Sequence, residues 1–277
     1  MVKGLDIFYD YFAEFTDQYV LIGGAACDIS FHSNSVDFRA TKDLDMVLVI
    51  EAQTKEFGQR FWKFIEKGKY KNRSGSNGIP RFYRFDKPEE IGYPAMIELF
   101  SRANWKMDME TILTPIHIDD SVSSLSAILL DNDYYELLLK ERNIINGITV
   151  LNPTGLIVFK AKAWLDLNQK IEQGEHVDSR NIKKHRNDIL RIAAEIPLNF
   201  CELPEKIRND MMKFIRSLKV TKEELKNLKI TGVREEDIIN ILRDTFDLIL
   251  FTIIDKNRYN VNNSKRYIIG YLFSKFK

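Results

Sequence analysis

Residues 44–50 read Leu-Asp-Met-Val-Leu-Val-Ile, and this run restricts the fold more than any other stretch of the chain. Valine and isoleucine suit a pleated surface, and a short apolar run bounded by charged residues is the pattern of a strand buried on both faces. Side chains alternate along a strand, so Asp43, Asp45, Val47 and Val49 share one face while Leu44, Met46, Leu48 and Ile50 share the other. Two carboxylates therefore converge at the N-terminal end of a buried strand, near solvent. Like charges at this spacing repel, and a hard divalent cation relieves the repulsion by taking oxygen ligands. Taken alone, the pair reads either as solvated residues at the start of a strand or as a metal site.

A second feature lies upstream. Residues 19–22 (Tyr-Val-Leu-Ile) form a short β-prone run closed by Gly23-Gly24, and residues 25–31 are compatible with a helix. Glycine lets a backbone approach a ligand closely, and a helix N-terminus offers unpaired N–H groups to phosphate. The same residues serve equally well as an ordinary strand-to-helix turn. Joined to Asp43 and Asp45, they place phosphate donors and metal ligands on adjacent elements, which is the equipment for phosphoryl transfer.

The rest of the chain supplies the frame. Leu5, Phe8, Tyr9, Phe12 and Phe15 recur at helical spacing, as do Phe57, Phe61, Phe64 and Ile65 within residues 54–70. A Gly/Ser/Asn-rich loop over residues 72–80 is followed by candidate strands at 81–85, 95–100, 112–118 and 148–151. From Pro153 onward helical periods dominate, around residues 182–196, 204–218 and 235–251. The expected architecture is α+β: a mixed β-sheet with flanking helices over residues 1–150, then a mostly helical domain over 151–277 that completes a cleft.

Composition narrows the function classes. Lysine and arginine number 41 against 40 acidic residues, so no global charge draws the chain to nucleic acid or a membrane surface, and any polyanion site must be local. Cys27 and Cys201 have neither disulfide-framework nor zinc-ligand spacing. Asp6, Asp10 and Glu14 interrupt the N-terminal apolar residues, and no stretch approaches the roughly 18 apolar residues of a spanning helix. These features lead us to expect a reduced, cytoplasmic protein without a membrane partner.

Gly23-Gly24-Ala25-Ala26 followed by Arg39-Ala40-Thr41-Lys42-Asp43-Leu44-Asp45 resembles the nucleotidyltransferase superfamily, whose signature is a Gly-Gly or Gly-Ser turn before an Asp-x-Asp strand. With Pro153-Thr-Gly-Leu-Ile-Val-Phe-Lys160 and Lys184-His-Arg-Asn-Asp188 the chain is similar, more narrowly, to the AbiEii type, the toxin halves of bacterial toxin–antitoxin pairs. The resemblance implies a nucleotidyltransferase-like fold and a Mg²⁺ (or Mn²⁺) site at Asp43 and Asp45. It makes Gly23, Gly24, Thr41 and Lys160 the contacts of a nucleoside triphosphate and Asp188 a base or positioning group. Glu98, which interrupts the apolar strand Met96-Ile-Glu-Leu-Phe100, matches the third carboxylate many members carry on a later strand; an edge-strand glutamate is the other reading. The chain departs from the pattern in having Ala25 where a phosphate-binding serine is frequent, and in offering Lys162 beside Lys160. An acceptor hydroxyl on RNA (tRNA) or protein and a cognate antitoxin are the partners it implies.

Two other classes share these residues: a nucleotide-binding or interaction protein of the same fold without turnover, and a small-molecule, antibiotic-modifying nucleotidyltransferase. The second calls for an acidic pocket to receive a cationic substrate. Arg81, Arg84, Lys183, Lys184 and Arg186 lean instead toward an RNA acceptor.

Overall fold

The computed structural model describes residues 2–72, 82–101, 128–129 and 131–248. Among them, seven strands form one mixed sheet: β1 (Tyr19–Ile22), β2 (Asp43–Leu48), β3 (Lys71–Asn72), β4 (Phe82–Asp86), β5 (Met96–Phe100), β6 (Arg142–Ile145) and β7 (Ile148–Leu151), in the order β3-β4-β5-β2-β1-β7-β6. The β2–β5 and β1–β7 pairs are parallel and the rest antiparallel. The α-helices that accompany it among the described residues include α1 (Leu5–Phe12), α2 (Gly23–Ser33), α3 (Lys55–Gly68), α4 (Asn132–Lys140), α5 (Pro153–Glu172), α6 (Ser179–Glu195), α7 (Glu205–Ser217), α8 (Lys222–Asn227) and α9 (Glu235–Thr245).

The alternation read from the sequence sorts the sheet into two unlike faces. Tyr19 and Leu21 on β1 sit opposite Leu48 and Met46 on β2, and this face continues through Ile97, Leu99 and Phe85. It is covered by α1 and α3, whose apolar stripes (Leu5, Phe8 and Phe12; Phe57, Phe61, Phe64 and Ile65) are buried. Phe8, Phe12, Tyr19, Phe57, Phe61 and Phe64 meet edge-on, tilted or, for Phe57–Phe61, stacked, at centroid distances of 4.6–6.4 Å. Each such ring contributes roughly 1.5–3 kcal/mol by leaving water. The opposite face carries Asp43, Asp45, Glu98 and Arg84, because Asp45 pairs in register with Glu98 and Glu98 with Arg84.

On that second side α2 runs through the interior. Every residue from Gly24 to Phe31 is buried, so the helix has no polar stripe, as a central helix requires. It packs against β2 and α5. α5 starts at Pro153, with Asn152 accepting from the Gly155 N–H at 2.9 Å, and buries Thr154 through Ala161. One apolar core runs from the sheet through α5, α6 and α7.

Strands at 19–22, 44–50, 81–85, 95–100 and 148–151 were expected and are present within a residue or two; residues 49–50 leave the ladder and open a 3₁₀ turn at Ile50–Ala52. The expected strand at 112–118 and the end of the expected helix at 235–251 lie outside the described residues, as does nearly all of the 72–80 loop. Among the described residues no helix is long and apolar enough to cross a membrane.

Candidate active site

The turn and the carboxylate strand meet because β1 and β2 pair antiparallel. Ile22, the last residue of β1, sits opposite Asp45, so Gly23 arrives beside the Asp45 side chain. Gly23 has φ +65°, and a Cβ there would lie 1.9 Å from Asp45 Oδ2. Only glycine leaves that space for the carboxylate while accepting the left-handed backbone. A Cβ on Gly24 would fall 2.7 Å from Thr41 Oγ1 and 3.7 Å from Arg39 Nη2. Ile22, the N-cap of α2, makes no side-chain capping bond, and the first residues of the helix, Gly23 and Gly24, lie beside Asp45, Thr41 and Arg39.

On the sheet face, Asp45 stands opposite Glu98, which is buried and accepts from Arg84 Nε at 2.9 Å and Nη2 at 2.5 Å. Burial, then the charge of Glu98 and a hydrogen bond with it, push the Asp45 carboxyl well above the usual carboxylate range. Asp43 lies two residues back on the same face, partly exposed, opposite Met96. Among the described residues no three His, Cys, Asp or Glu side chains gather closely enough to enclose an ion.

A second carboxylate centre adjoins the first. Asp188 on α6 is buried and accepts from Arg39 Nε and Nη2 at 2.9 and 2.8 Å and from Lys160 Nζ at 2.8 Å. Burial would raise its pKa, but the Lys160 charge and the Arg39 bond outweigh it and hold the carboxyl below the ordinary range. Lys160, also buried, is raised in turn: desolvation works against its charge and Asp188 prevails. The Cys27 thiol beside Lys160 is pushed up to about 11, by burial first. The His185 imidazole is held down to about 3, by burial and then by the Lys160 charge, and its Nδ1 is buried without a hydrogen-bond partner.

Gly23, Gly24, Thr41, Asp43, Asp45, Glu98, Lys160 and Asp188 therefore fall along one line of neighbouring residues. It runs Arg84–Glu98–Asp45–Gly23-Gly24–Arg39–Asp188–Lys160, with Thr41 beside Gly24 and Asp43 beside Asp45. Arg39 is the link the sequence reading did not assign, although it stands in the Arg39-Ala40-Thr41 stretch quoted above; it joins the glycine turn to the helical half. Glu98 is neither unpaired nor at a sheet edge, since β5 lies between β2 and β4. Both oxygens of Asp188 accept from cations, which suits a positioning group better than a base. Lys162, the alternative to Lys160, pairs with Asp166 at 2.6 Å. Of the basic residues that leaned toward RNA, Arg84 is bound to Glu98, Arg186 is bound to Glu224, and Arg81 is outside the described residues.

No family model matches the chain, and no curated protein matches it at a significant level. Among solved structures, an antigenic nucleotidyltransferase-like protein from Paracoccidioides brasiliensis is similar at 16% identity and a TM-score of 0.38, over 83% of this chain and 94% of that one.

Proposed function

We propose that the chain is a metal-dependent nucleotidyltransferase that moves a nucleoside monophosphate from a nucleoside triphosphate to an acceptor hydroxyl. The observation that carries the reading is the Gly23 cradle: a left-handed glycine pressed against Asp45 at the uncapped start of a helix, with Glu98 opposite and Arg39 behind. Two carboxylates in contact, one held well above its usual pKa by burial and then by the other, fit a divalent cation that takes one or two protein ligands and completes its shell with phosphate and water. Asp43 and Asp45, with Glu98 behind them, would hold Mg²⁺ or Mn²⁺, which when bound supplies charge neutralisation and a more acidic hydroxyl.

The chain's own residues do the rest. The N–H groups at Gly23-Gly24 and the Thr41 hydroxyl bind phosphate oxygens. Arg39 and Lys160 carry two positive charges against the single charge of Asp188, so this corner keeps a net cation for the departing pyrophosphate. Asp188 fixes both cations in place. In the reaction the acceptor oxygen bonds to the α-phosphorus, the bond from that phosphorus to the bridging oxygen breaks, pyrophosphate leaves with the electron pair, and the hydroxyl proton passes to solvent. The AbiEii-type resemblance extends the proposal to a toxin whose acceptor is RNA or protein and which a cognate antitoxin restrains.

The test incubates the protein with Mg²⁺, each α-labelled nucleoside triphosphate and total RNA or cell extract. Transfer of label, lost by roughly 10²–10³-fold or more in Asp45→Asn, is the expected result. Tight triphosphate binding without pyrophosphate release would instead establish the non-catalytic alternative.

A further inference from the structure

The nucleotide corner leaves one side of Asp43 unused, and a cavity opens there. It has a volume of about 450 Å³ and lies at the end of the sheet where β2 and β5 begin and β4 ends. Asp43 forms part of its wall, together with Lys3, Lys42, Lys87, Ile91 and Tyr93.

The charges of this wall are unevenly matched. Glu90 pairs with Lys69 at 2.5 Å and Glu89 with Lys71 at 3.8 Å, so the lining acids of the β4–β5 connection are compensated from outside the cavity. Lys3, Lys42 and Lys87 are exposed and have no ion-pair partner among the described residues. Three lysines therefore surround two carboxylates, the partly exposed Asp43 and the buried Asp86 at the end of β4. The frame that holds them is built in advance. Lys87 adopts a left-handed backbone (φ 52°) with its N–H on the Ala95 carbonyl at 3.3 Å. Gly4 lies so close that a Cβ would be 2.5 Å from Pro94 and 2.6 Å from the Gly92 oxygen, which seats Lys3 on the same connection. Ile91 projects from the rim at 92% exposure, and Tyr93 packs its ring against Phe64 behind the wall.

Displacement at phosphorus is in line, so the acceptor must arrive from the side opposite the leaving pyrophosphate. With the triphosphate on Gly23-Gly24, Arg39 and Lys160, the route past Asp43 is the open one. A cationic acceptor would be repelled by the three lysines, whereas an anionic one gains from each. We propose that this cavity is the acceptor site and that it takes an alcohol whose reacting hydroxyl is flanked by a phosphate, with Ile91 covering the carbon skeleton. The assignment rests on the transferase reading of Asp43 and Asp45.

The experiment is a lysine-acetylation footprint of the full chain read by mass spectrometry, with Mg²⁺ present. The probes are glycerol 3-phosphate, a ribonucleoside 5′-monophosphate and a short oligoribonucleotide, against glycerol, the neutral nucleoside and inorganic phosphate. We expect the phosphate-bearing alcohols to slow modification of Lys3, Lys42 and Lys87 together, relative to Lys183, and the neutral probes to leave it unchanged. A stronger effect of the oligoribonucleotide than of the monoesters assigns the phosphate to a polymer backbone; the reverse assigns it to a small ester. Lys42→Ala with Lys87→Ala should raise the concentration for half-protection of Lys3 about tenfold, equivalent to about 1.4 kcal/mol, while triphosphate affinity stays the same. Equal protection by inorganic phosphate, or none of the three lysines protected by any ester while triphosphate still binds, overturns the acceptor site alone. Wild-type protein that binds no triphosphate overturns the transferase reading, whatever the lysines do.

Discussion

Two carboxylates lie on either side of the glycine turn, and their surroundings are opposite. Asp188 faces two cations, Arg39 and Lys160, and its pKa is depressed. Asp45 faces another carboxylate, Glu98, and its pKa is raised well above the usual range. Both are built into the protein beside buried apolar residues, so burial is common to the two and the partner decides the outcome. The first centre is satisfied and acts as a tether between the sheet and the helices. The second sets two carboxylates, Asp45 and Glu98, against the single Arg84 guanidinium in the same fold.

If that contrast is right, the two acids must fail differently. Asp188→Asn leaves Arg39 and Lys160 without their anion and should cost roughly 3–5 kcal/mol of stability, seen as a large fall in the denaturant midpoint. Asp45→Asn removes a like-charge contact and should leave the midpoint unchanged or higher while abolishing transfer. Equal destabilisation by the two would dissolve the comparison.

Gly23→Ala probes the boundary between the centres. A left-handed alanine costs about 1–2 kcal/mol, and its Cβ can be accommodated only if the Asp45 carboxylate swings aside. Turnover should fall by roughly 10²-fold, the scale expected for a displaced reacting group, with a much smaller change in melting temperature. Retention of full activity would show that Asp45 does not need its present position.

Cation binding offers a gentler discrimination. Mg²⁺ at about ten times its Kd should stabilise the wild type by about 1.4 kcal/mol, and Asp188→Asn should retain that increment whereas Asp45→Asn loses it. The smallest effect concerns His185, on the cationic side. Its pKa falls from 6.5 to about 3 on folding, so below 6.5 the unfolded chain binds the extra proton and stability declines as pH drops toward 3. Between pH 7 and 6 linkage gives a loss of roughly 0.7 kcal/mol. His185→Gln should flatten that part of the stability–pH curve; an unaltered slope would assign it to other groups.

The sequence disclosed the elements whose signal is local. Val47 and Leu48 mark β2 by composition, and Glu98 stood out as the charge interrupting an apolar strand, whereas its meeting with Asp45 comes from the register of β2 on β5. Asn132–Lys140 and Arg142–Ile145 were not foreseen: β6 is an edge strand with Arg142, Asn143 and Ile144 exposed, so it carries no apolar alternation to read. The ion pairs were hidden for another reason. Arg84 reaches Glu98 through strand register, and Arg39 reaches Asp188 across a sequence separation of 149 residues; neither distance follows from spacing along the chain.

That separation also sets a timetable. Gly23, Asp43 and Asp45 leave the ribosome long before Lys160 and Asp188 exist, and Arg39 has no buried anion to dock on until α6 has been made. Contacts so distant along the chain form late because they require the longest loops to close. A growing chain thus carries Asp43 and Asp45 without the Arg39–Asp188–Lys160 clasp, and the transfer proposed above would be possible only once residues 153–195 have been made and docked.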